Sequence, residues 1–355
     1  MGRVLMKGTE AIAEAAIQAG CKFFFGYPIT PQNEIPEYMS AHLPEVGGTF
    51  VQAESEVAAI YMIMGGGATG HKVMTTSSSP GISLMSEGLT YMAGCEIPAV
   101  IVNVMRGGPG LGGILPSQAD YLQATKGGGN GDYNLIVLAP STLQEAVNLT
   151  QLAFELSQRY RNPVMMLADG FMGQMMEAVE IKPYTDKDIP DNTTWALGYM
   201  EERKGQKSAL KSLYLSPEAL EDHNINLQKK YALIKEREVR CESYLTEDAE
   251  LVIAAYGTTA RIAKTAIANL EKEGYKVGFI RPITLWPYPY EEFKKINENC
   301  KGILTVEMNS GQMLDDVKIA VEGKFPVYFY GRTGGMVPTP KEIMAKVKEI
   351  YGGEK

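Results

Sequence analysis

The stretch IPAVIVNV, residues 97–104, reads as a strand with no polar face, and NLIVLAP, residues 134–140, repeats the pattern. A strand with one face in water alternates apolar and polar residues, whereas a continuous apolar run belongs to a parallel strand covered on both sides. Outward from this pair, strand-like runs occur at 22–26, 49–52, 72–76 and 164–168, and helical apolar spacing at 8–19, 31–43, 55–64, 82–93 and 143–156. Strands alternating with helices of this length predict βαβ units around a mostly parallel sheet. A second alternating unit starts at Ala249 with ELVIAAY, Gly257, a helix to Glu273, KVGFI, RPITLWPYPY, GILTVE and PVYFYG, and closes with a helix over 340–350. Between the two units, EERKGQKS and LQKKYALIKEREVR give a polar, charged stretch with the composition of an excursion or linker. The reading is an α/β chain: an α/β domain over 1–183, a charged helical linker over 184–248, and a smaller α/β domain over 249–355.

Bulk properties remove several classes of function. At 355 residues the chain exceeds one ordinary domain, and 45% hydrophobic with 21% charged residues is ordinary globular composition. No apolar run reaches the roughly 18 to 20 residues that cross a bilayer. The first twenty residues carry Glu10 and Glu14 inside their apolar stretch, so they read as an amphipathic helix and not a secretory segment. A soluble, cytoplasmic protein is expected. The net charge of −8, with no Lys/Arg stripe interleaved with aromatics, argues against nucleic acid as a partner. Cys21, Cys95, Cys241 and Cys300 stand singly, which disfavours a zinc site or iron–sulfur cluster held by this chain and suits small core hydrophobes. His42, His71 and His223 have no ligand-like neighbours and read as surface residues.

Ligands of open parallel sheets bind outside the carboxyl ends of the strands. The loops that begin there are 26–31, 52–56, 75–81 and 106–118, and all four are unusual in composition. In QAESEVAA, residues 52–59, a strand runs into a helix whose first turn holds two carboxylates, Glu54 and Glu56. They can serve the helix dipole, or one can enter a cleft and exchange a proton with a heterocycle nitrogen. MTTSSSPG, residues 74–81, places Ser78 and Ser79 in a tight loop before a helix, which fits either capping or a ring-lining role. In Tyr27-Pro28-Ile29-Thr30-Pro31 the prolines hold Thr30 extended, where it can cap a helix opened by Pro31 or present its hydroxyl to a cleft. Arg106 ends a strand and precedes GGPGLGG, residues 107–113. A guanidinium there can clamp a carboxylate or merely pack. The formal G-x-G-x-x-G within that run is interrupted by prolines, so a mobile active-site loop suits it better than a dinucleotide turn. There is no G-x-x-x-x-G-K-S/T loop and no G-x-S-x-G elbow.

These segments together carry a resemblance. FFFGYPITPQNEIPE, QAESEVAAI, MTTSSSPGISLMSEG, VIVNVMRGGPGLGG, PSQADYLQATKGGGNGDY and RNPVMMLADG resemble, in order, the alpha subunit of 2-oxoacid:ferredoxin oxidoreductases, nearest to the branched-chain 2-oxoisovalerate (3-methyl-2-oxobutanoate) type. RPITLWPYP and VEMNSGQMLDDV resemble the transketolase C-terminal-like domain that follows in that family; the 184–248 stretch matches least specifically. The resemblance implies a thiamine-diphosphate pyrimidine-binding domain followed by that smaller α/β domain. It implies that Glu56 meets the pyrimidine N1′ and favours the imino form that deprotonates the thiazolium carbon. It places Thr30 and Arg106 at the substrate carboxylate. Tyr27, Pro28, Ile29, Ser78, Ser79 and Gln118 then fall at the cofactor. It also implies oxidative decarboxylation of a 2-oxoacid to an acyl-coenzyme A, with electrons passed to ferredoxin.

Two departures shape the expectation. GNGDYN, residues 129–134, lacks the glycine after its aspartate and the distant Asn pair of the magnesium/diphosphate signature, and cluster cysteines are missing. Magnesium and [4Fe–4S] clusters are therefore expected on partner subunits: a beta subunit with the diphosphate motif, and gamma and ferredoxin-like delta subunits. This chain would then be half a site, active only with partners. Other readings are the same machinery acting on 2-oxoglutarate or pyruvate, a non-catalytic scaffold subunit, and a self-sufficient transketolase-type enzyme, which the missing diphosphate motif disfavours.

Overall fold

The structure is a computed structural model that describes residues 2–244 and 246–352. Its strands in the first part of the chain are β1 (Val4–Lys7), β2 (Phe23–Gly26), β3 (Thr49–Gln52), β4 (Val73–Ser77), β5 (Ala99–Met105), β6 (Ile136–Leu138), β7 (Pro163–Asp169) and β8 (Met176–Val179). The remainder supplies β9 (Cys241–Tyr244), β10 (Leu251–Ala254), β11 (Val277–Pro282), β12 (Thr284–Trp286), β13 (Ile303–Glu307) and β14 (Val327–Gly331). A seven-stranded sheet runs β12-β6-β7-β5-β4-β2-β3, and a five-stranded sheet runs β14-β13-β10-β11-β9. All pairings among β2 to β7 are parallel, as are those among β10, β11, β13 and β14. β1 and β8 form a separate antiparallel pair.

The apolar runs explain the first sheet. Every residue of β5 and of β7 is buried, because helices cover both faces, so neither strand has a polar side to show. Helix Gly8–Gln18 and helix Leu143–Tyr160 pack on one another and line the core with Ala, Ile, Leu and Phe side chains. β2 pairs with both β3 and β4, although the chain makes them in the order β2, β3, β4. Strand order therefore turns around at β2, and loops leaving its carboxyl end and that of β4 part to leave a crevice.

The expected alternation of strands and helices is present, but two strands cross between units. β9, from the charged stretch, pairs antiparallel with β11 at the edge of the second sheet. β12, from the later unit, pairs antiparallel with β6 and completes the first sheet. The charged stretch also contains a 21-residue helix, Pro217–Arg237. Its apolar stripe of Leu227, Tyr231 and Ile234 is buried at i, i+4, i+7 spacing, while the other faces stay in water. A second difference lies at 31–43: the helix begins only at Glu34, with Asn33 as N-cap, so Thr30 caps nothing. Gln32 occupies the intervening turn, its buried amide donating to the Tyr27 carbonyl at 3.2 Å and accepting from the Thr76 hydroxyl.

The two sheet units meet along a polar seam. Asp316 is wholly buried and accepts from the Tyr121 hydroxyl at 2.5 Å, Lys126 at 2.6 Å and the Tyr290 hydroxyl at 2.6 Å. Arg281 forks onto Glu145 with two 2.8 Å bonds and reaches Glu242 at 2.7 Å. Burial alone would lower the Arg281 pKa, but these two carboxylates outweigh it and raise it. No helix among the described residues is long and apolar enough to cross a membrane.

Candidate active site

Four loops leave the carboxyl ends of β2, β3, β4 and β5 side by side, and the structure draws most of the expected residues together there. After β3, Ser55 caps the helix Glu56–Ala68 by accepting from Ala58 N at 3.1 Å. The cap fixes the first turn, so the two carboxylates diverge: Glu54 is exposed, while Glu56 is buried at 6% exposure. The Glu56 carboxylate lies against the backbone of Gly81. A Cβ at that position would sit 2.6 Å from Glu56 Oε1 and 2.0 Å from Ser77 Oγ, so only glycine lets β4 and its loop approach this closely. Among the described residues the Glu56 carboxylate takes part in no hydrogen bond or ion pair.

The neighbouring hydroxyls are similarly unengaged. Thr75 Oγ1, Ser77 Oγ and Ser78 Oγ are buried without hydrogen-bond partners among the described residues. Buried polar atoms are nearly always paired, so a group of orphans beside a buried carboxylate marks a place for a polar ligand. A carboxylate able to share a proton with a ring nitrogen, beside hydroxyls able to bond an amino group, is a donor and acceptor set that fits an aminopyrimidine. Tyr27 and Ile29 are half-buried and Pro28 is exposed on the adjoining loop.

Arg106 directly follows β5 and is buried at 6% exposure. Its Nη1 donates to the Thr30 carbonyl at 2.9 Å, its Nη2 donates to the Leu111 carbonyl at 3.1 Å, and its Nε has no partner. Thr30 and Arg106 therefore touch, through the threonine backbone, while the Thr30 side chain is exposed. The glycine run does not hang free. Gly107 N bonds Leu115 O at 3.0 Å and Gly113 N bonds Gly107 O at 2.9 Å, which folds the loop back so that Arg106 pairs with Pro116. Gly112 makes this reversal at φ 55°, where a Cβ would fall 1.8 Å from Gly107 O. The turn leaves Leu111 83% exposed, with Ile114 and Leu115 also exposed.

Ser79, unlike Ser78, is engaged in hydrogen bonds. Its backbone N donates to Asn103 Oδ1 at 3.1 Å, and its hydroxyl donates to Asp120 Oδ2 at 2.6 Å while accepting from Arg106 N at 3.0 Å. Burial pushes the Asp120 carboxyl above the usual range, and the bonds from Ser79 and Asn103 pull it partly back. Gln118 stands apart from the cleft. It is fully buried; its Nε2 donates to the Tyr256 carbonyl at 2.9 Å, and its Oε1 accepts from Met308 N at 3.0 Å and Thr259 Oγ1 at 3.1 Å. That amide stitches the seam, using one N–H of Nε2 and both acceptor sites of Oε1 within the chain. Sequence reasoning missed Asp120, Asn103 and Gln32. Asn103 carried a signal, as the only polar residue in an otherwise apolar run; Asp120 reads locally as an ordinary helix cap.

No group of three or more His, Cys, Asp or Glu side chains that could hold a metal ion occurs among the described residues, and all four cysteines are free.

Comparisons with known proteins agree in direction. Residues 14–238 match the family model described as pyruvate flavodoxin/ferredoxin oxidoreductase, thiamine diphosphate-binding. Residues 249–343 match pyruvate:ferredoxin oxidoreductase core domain II. The ketoisovalerate oxidoreductase subunit VorB of Methanothermobacter marburgensis is 48% identical over 99% of both chains. The 2-oxoglutarate synthase subunit KorA of Methanocaldococcus jannaschii is 36% identical over 95% of this chain and 97% of its own. Among solved structures, the 2-oxoglutarate:ferredoxin oxidoreductase of Magnetococcus marinus matches with a TM-score of 0.86 at 29% identity, over 98% of this chain and 65% of that one. This chain thus spans about two thirds of that longer polypeptide. A split-gene transketolase shares the fold alone, at 12% identity and a TM-score of 0.60 over 99% of each chain.

Proposed function

The chain belongs to the 2-oxoacid:ferredoxin oxidoreductases as an alpha-type subunit, and on that premise we propose that it supplies the pyrimidine-binding half of a thiamine-diphosphate site completed by a partner subunit. The observation that carries the proposal is the Glu56 carboxylate, buried at the head of its helix, bonded to nothing among the described residues and flanked by unpartnered hydroxyls. Thiamine diphosphate, when bound, supplies the carbon nucleophile and electron sink that decarboxylation of a 2-oxoacid requires. Glu56 holds a proton at its carboxyl oxygen and shares it with the pyrimidine nitrogen N1′. Tyr27, Pro28 and Ile29 wall the ring, and Ser78 offers its free hydroxyl. Ser79 fixes the loop from which Ser78 projects. Gln118 acts at a distance, by holding its segment to the second domain.

Thr30 and Arg106 orient the carboxylate of the 2-oxoacid. The Arg106 Nη2 bond to the Leu111 carbonyl is one that a substrate carboxylate can replace, so the 107–113 loop loosens as substrate enters. The proposed substrate is 2-oxoisovalerate, with coenzyme A as acyl acceptor and ferredoxin as electron acceptor. The 48% identical ketoisovalerate relative supports that choice over the 36% identical 2-oxoglutarate relative. Magnesium and iron–sulfur clusters are placed on partner subunits of beta, gamma and delta type, in the cytoplasm. Exposed apolar side chains beside the cleft (Val57, Tyr61, Leu84, Leu111, Ile114 and Leu115) support a partner docking over it.

The test is a panel of 2-oxoacids assayed on the native complex with coenzyme A and a viologen dye. The highest kcat/KM is expected with 2-oxoisovalerate; preference for 2-oxoglutarate or pyruvate overturns the substrate, and inactivity with every 2-oxoacid overturns the catalytic reading in favour of a scaffold. Titration of the isolated chain with thiamine diphosphate completes it. Binding as tight as that of the complex would sink the half-site reading.

A further inference from the structure

We infer that Asp120 and Gln312 form a positioning relay through which the second domain sets the backbone at Arg106. The inference rests on the role proposed above for Arg106. One oxygen of Asp120, Oδ2, accepts from Ser79 Oγ at 2.6 Å and from Asn103 Nδ2 at 2.8 Å. Those two residues are bonded to each other through Ser79 N and Asn103 Oδ1, and Ser79 Oγ accepts from Arg106 N. A single carboxylate oxygen thus ties the end of β4 to the end of β5 at the point where the guanidinium leaves the sheet.

Asp120 belongs to neither strand. It precedes the short helix Tyr121–Thr125 at the capping position, yet its side chain makes no capping bond. A residue kept for local helix stability would turn its carboxylate to the free backbone N–H groups of that helix; this one turns away, toward Ser79 and Asn103. What holds it in place comes from the other domain. Gln312 donates from Nε2 to Ala119 O at 2.6 Å and accepts at Oε1 from Leu122 N at 2.9 Å, gripping the chain on both sides of Asp120. Asn309, on the same loop as Gln312, donates to Gln118 O at 2.7 Å. Asp120, Asn309 and Gln312 also line an interdomain cavity of about 490 Å³, with Gly108 at its rim, so the relay borders the glycine loop. A shift of the second domain moves Asp120, and Asp120 moves Ser79 and Arg106.

Neither residue touches a reacting atom in this scheme; both are positioning residues. Steady-state kinetics on the assembled complex tests them, with KM for the 2-oxoacid, KM for coenzyme A, kcat and melting temperature measured for each variant. Arg106→Ala should raise the 2-oxoacid KM. Asp120→Asn and Gln312→Ala should each raise it about tenfold, the scale of one weakened charge-assisted hydrogen bond, and leave KM for coenzyme A unchanged. The double variant should be no worse than about the poorer single one, because both act on one path. If Arg106→Ala raises the 2-oxoacid KM while Asp120→Asn and Gln312→Ala only lower the melting temperature, the relay is wrong. A double variant near one hundredfold overturns it as well. If Arg106→Ala leaves that KM unchanged, the reading of Arg106 falls, and the relay with it. Gln312→Ala, which removes no charge, decides the matter should Asp120→Asn fail to assemble.

Discussion

The cleft above β2 to β5 and the seam between the domains are both buried and both polar, and they differ in how far their polar groups are paired. In the seam most polar groups are paired: Asp316 accepts three bonds and the Gln118 amide is held at both ends, with the Tyr288 hydroxyl the exception among those beside Asp316. In the cleft, among the described residues, the Glu56, Thr75, Ser77 and Ser78 side chains have none, and Arg106 keeps a free Nε. Polar burial with complete pairing stabilises and locates; polar burial left incomplete is tolerated where a ligand supplies what is missing.

Substitutions can break that contrast. The largest effect is expected from Glu56→Gln, which keeps the shape and removes the proton exchange. Turnover of the complex should fall about a thousandfold, with melting temperature unchanged; a large loss of melting temperature with turnover per folded complex intact would move Glu56 to the architectural side. Asp316→Ala should do the reverse. It strands the buried Tyr121 hydroxyl and costs about 3 kcal/mol of stability in denaturant unfolding. Third is Gly81→Ala, whose new Cβ collides with Ser77 and displaces the Glu56 carboxylate. A loss of roughly tenfold in turnover, with weaker thiamine diphosphate binding by the complex, is expected.

The smallest effect sharpens the seam side. Glu238 is buried, which alone would raise its pKa, but the Tyr160 hydroxyl and Arg240 outweigh burial and hold it below the usual carboxylate range. A depressed pKa contributes stability that is present above the unfolded value of about 4.3 and disappears as pH falls through the folded one. Glu238→Gln should cost about 1 kcal/mol at neutral pH and flatten the acid limb of the stability curve. An unchanged acid limb would show that the Tyr160 and Arg240 contacts do not carry it.

Much of the cleft was legible in the sequence because its parts are local. A strand end, a capped helix and a Ser-Ser-Ser-Pro-Gly loop each declare themselves within ten residues, and Arg106 does reach the Thr30 backbone. The seam was not legible in the same way. Gln118 reaches Tyr256 and Met308 across 138 and 190 residues, and nothing near it marks those partners. Its amide reads locally as one more polar residue at a strand end. β12 is three residues long between Pro282 and Pro287, too short for a periodic signal, and β9 lies in a stretch whose charges belong mostly to the helix before it. Thr30 as a helix cap failed because Gln32, tied to Tyr27 and Thr76, pushes the helix start to Glu34.

The exchange of β9 and β12 has a consequence for how the protein is made. A nascent polypeptide that has left the ribosome as far as Arg237 contains β2 through β7, but β6 still has a bare edge, since its neighbour begins only at Thr284. Unpaired strand edges invite association with other chains. The N-terminal lobe therefore waits for translation to pass Trp286 before its rim is sealed, and a gene truncated between the two lobes should yield inclusion bodies where the full reading frame yields dispersed protein.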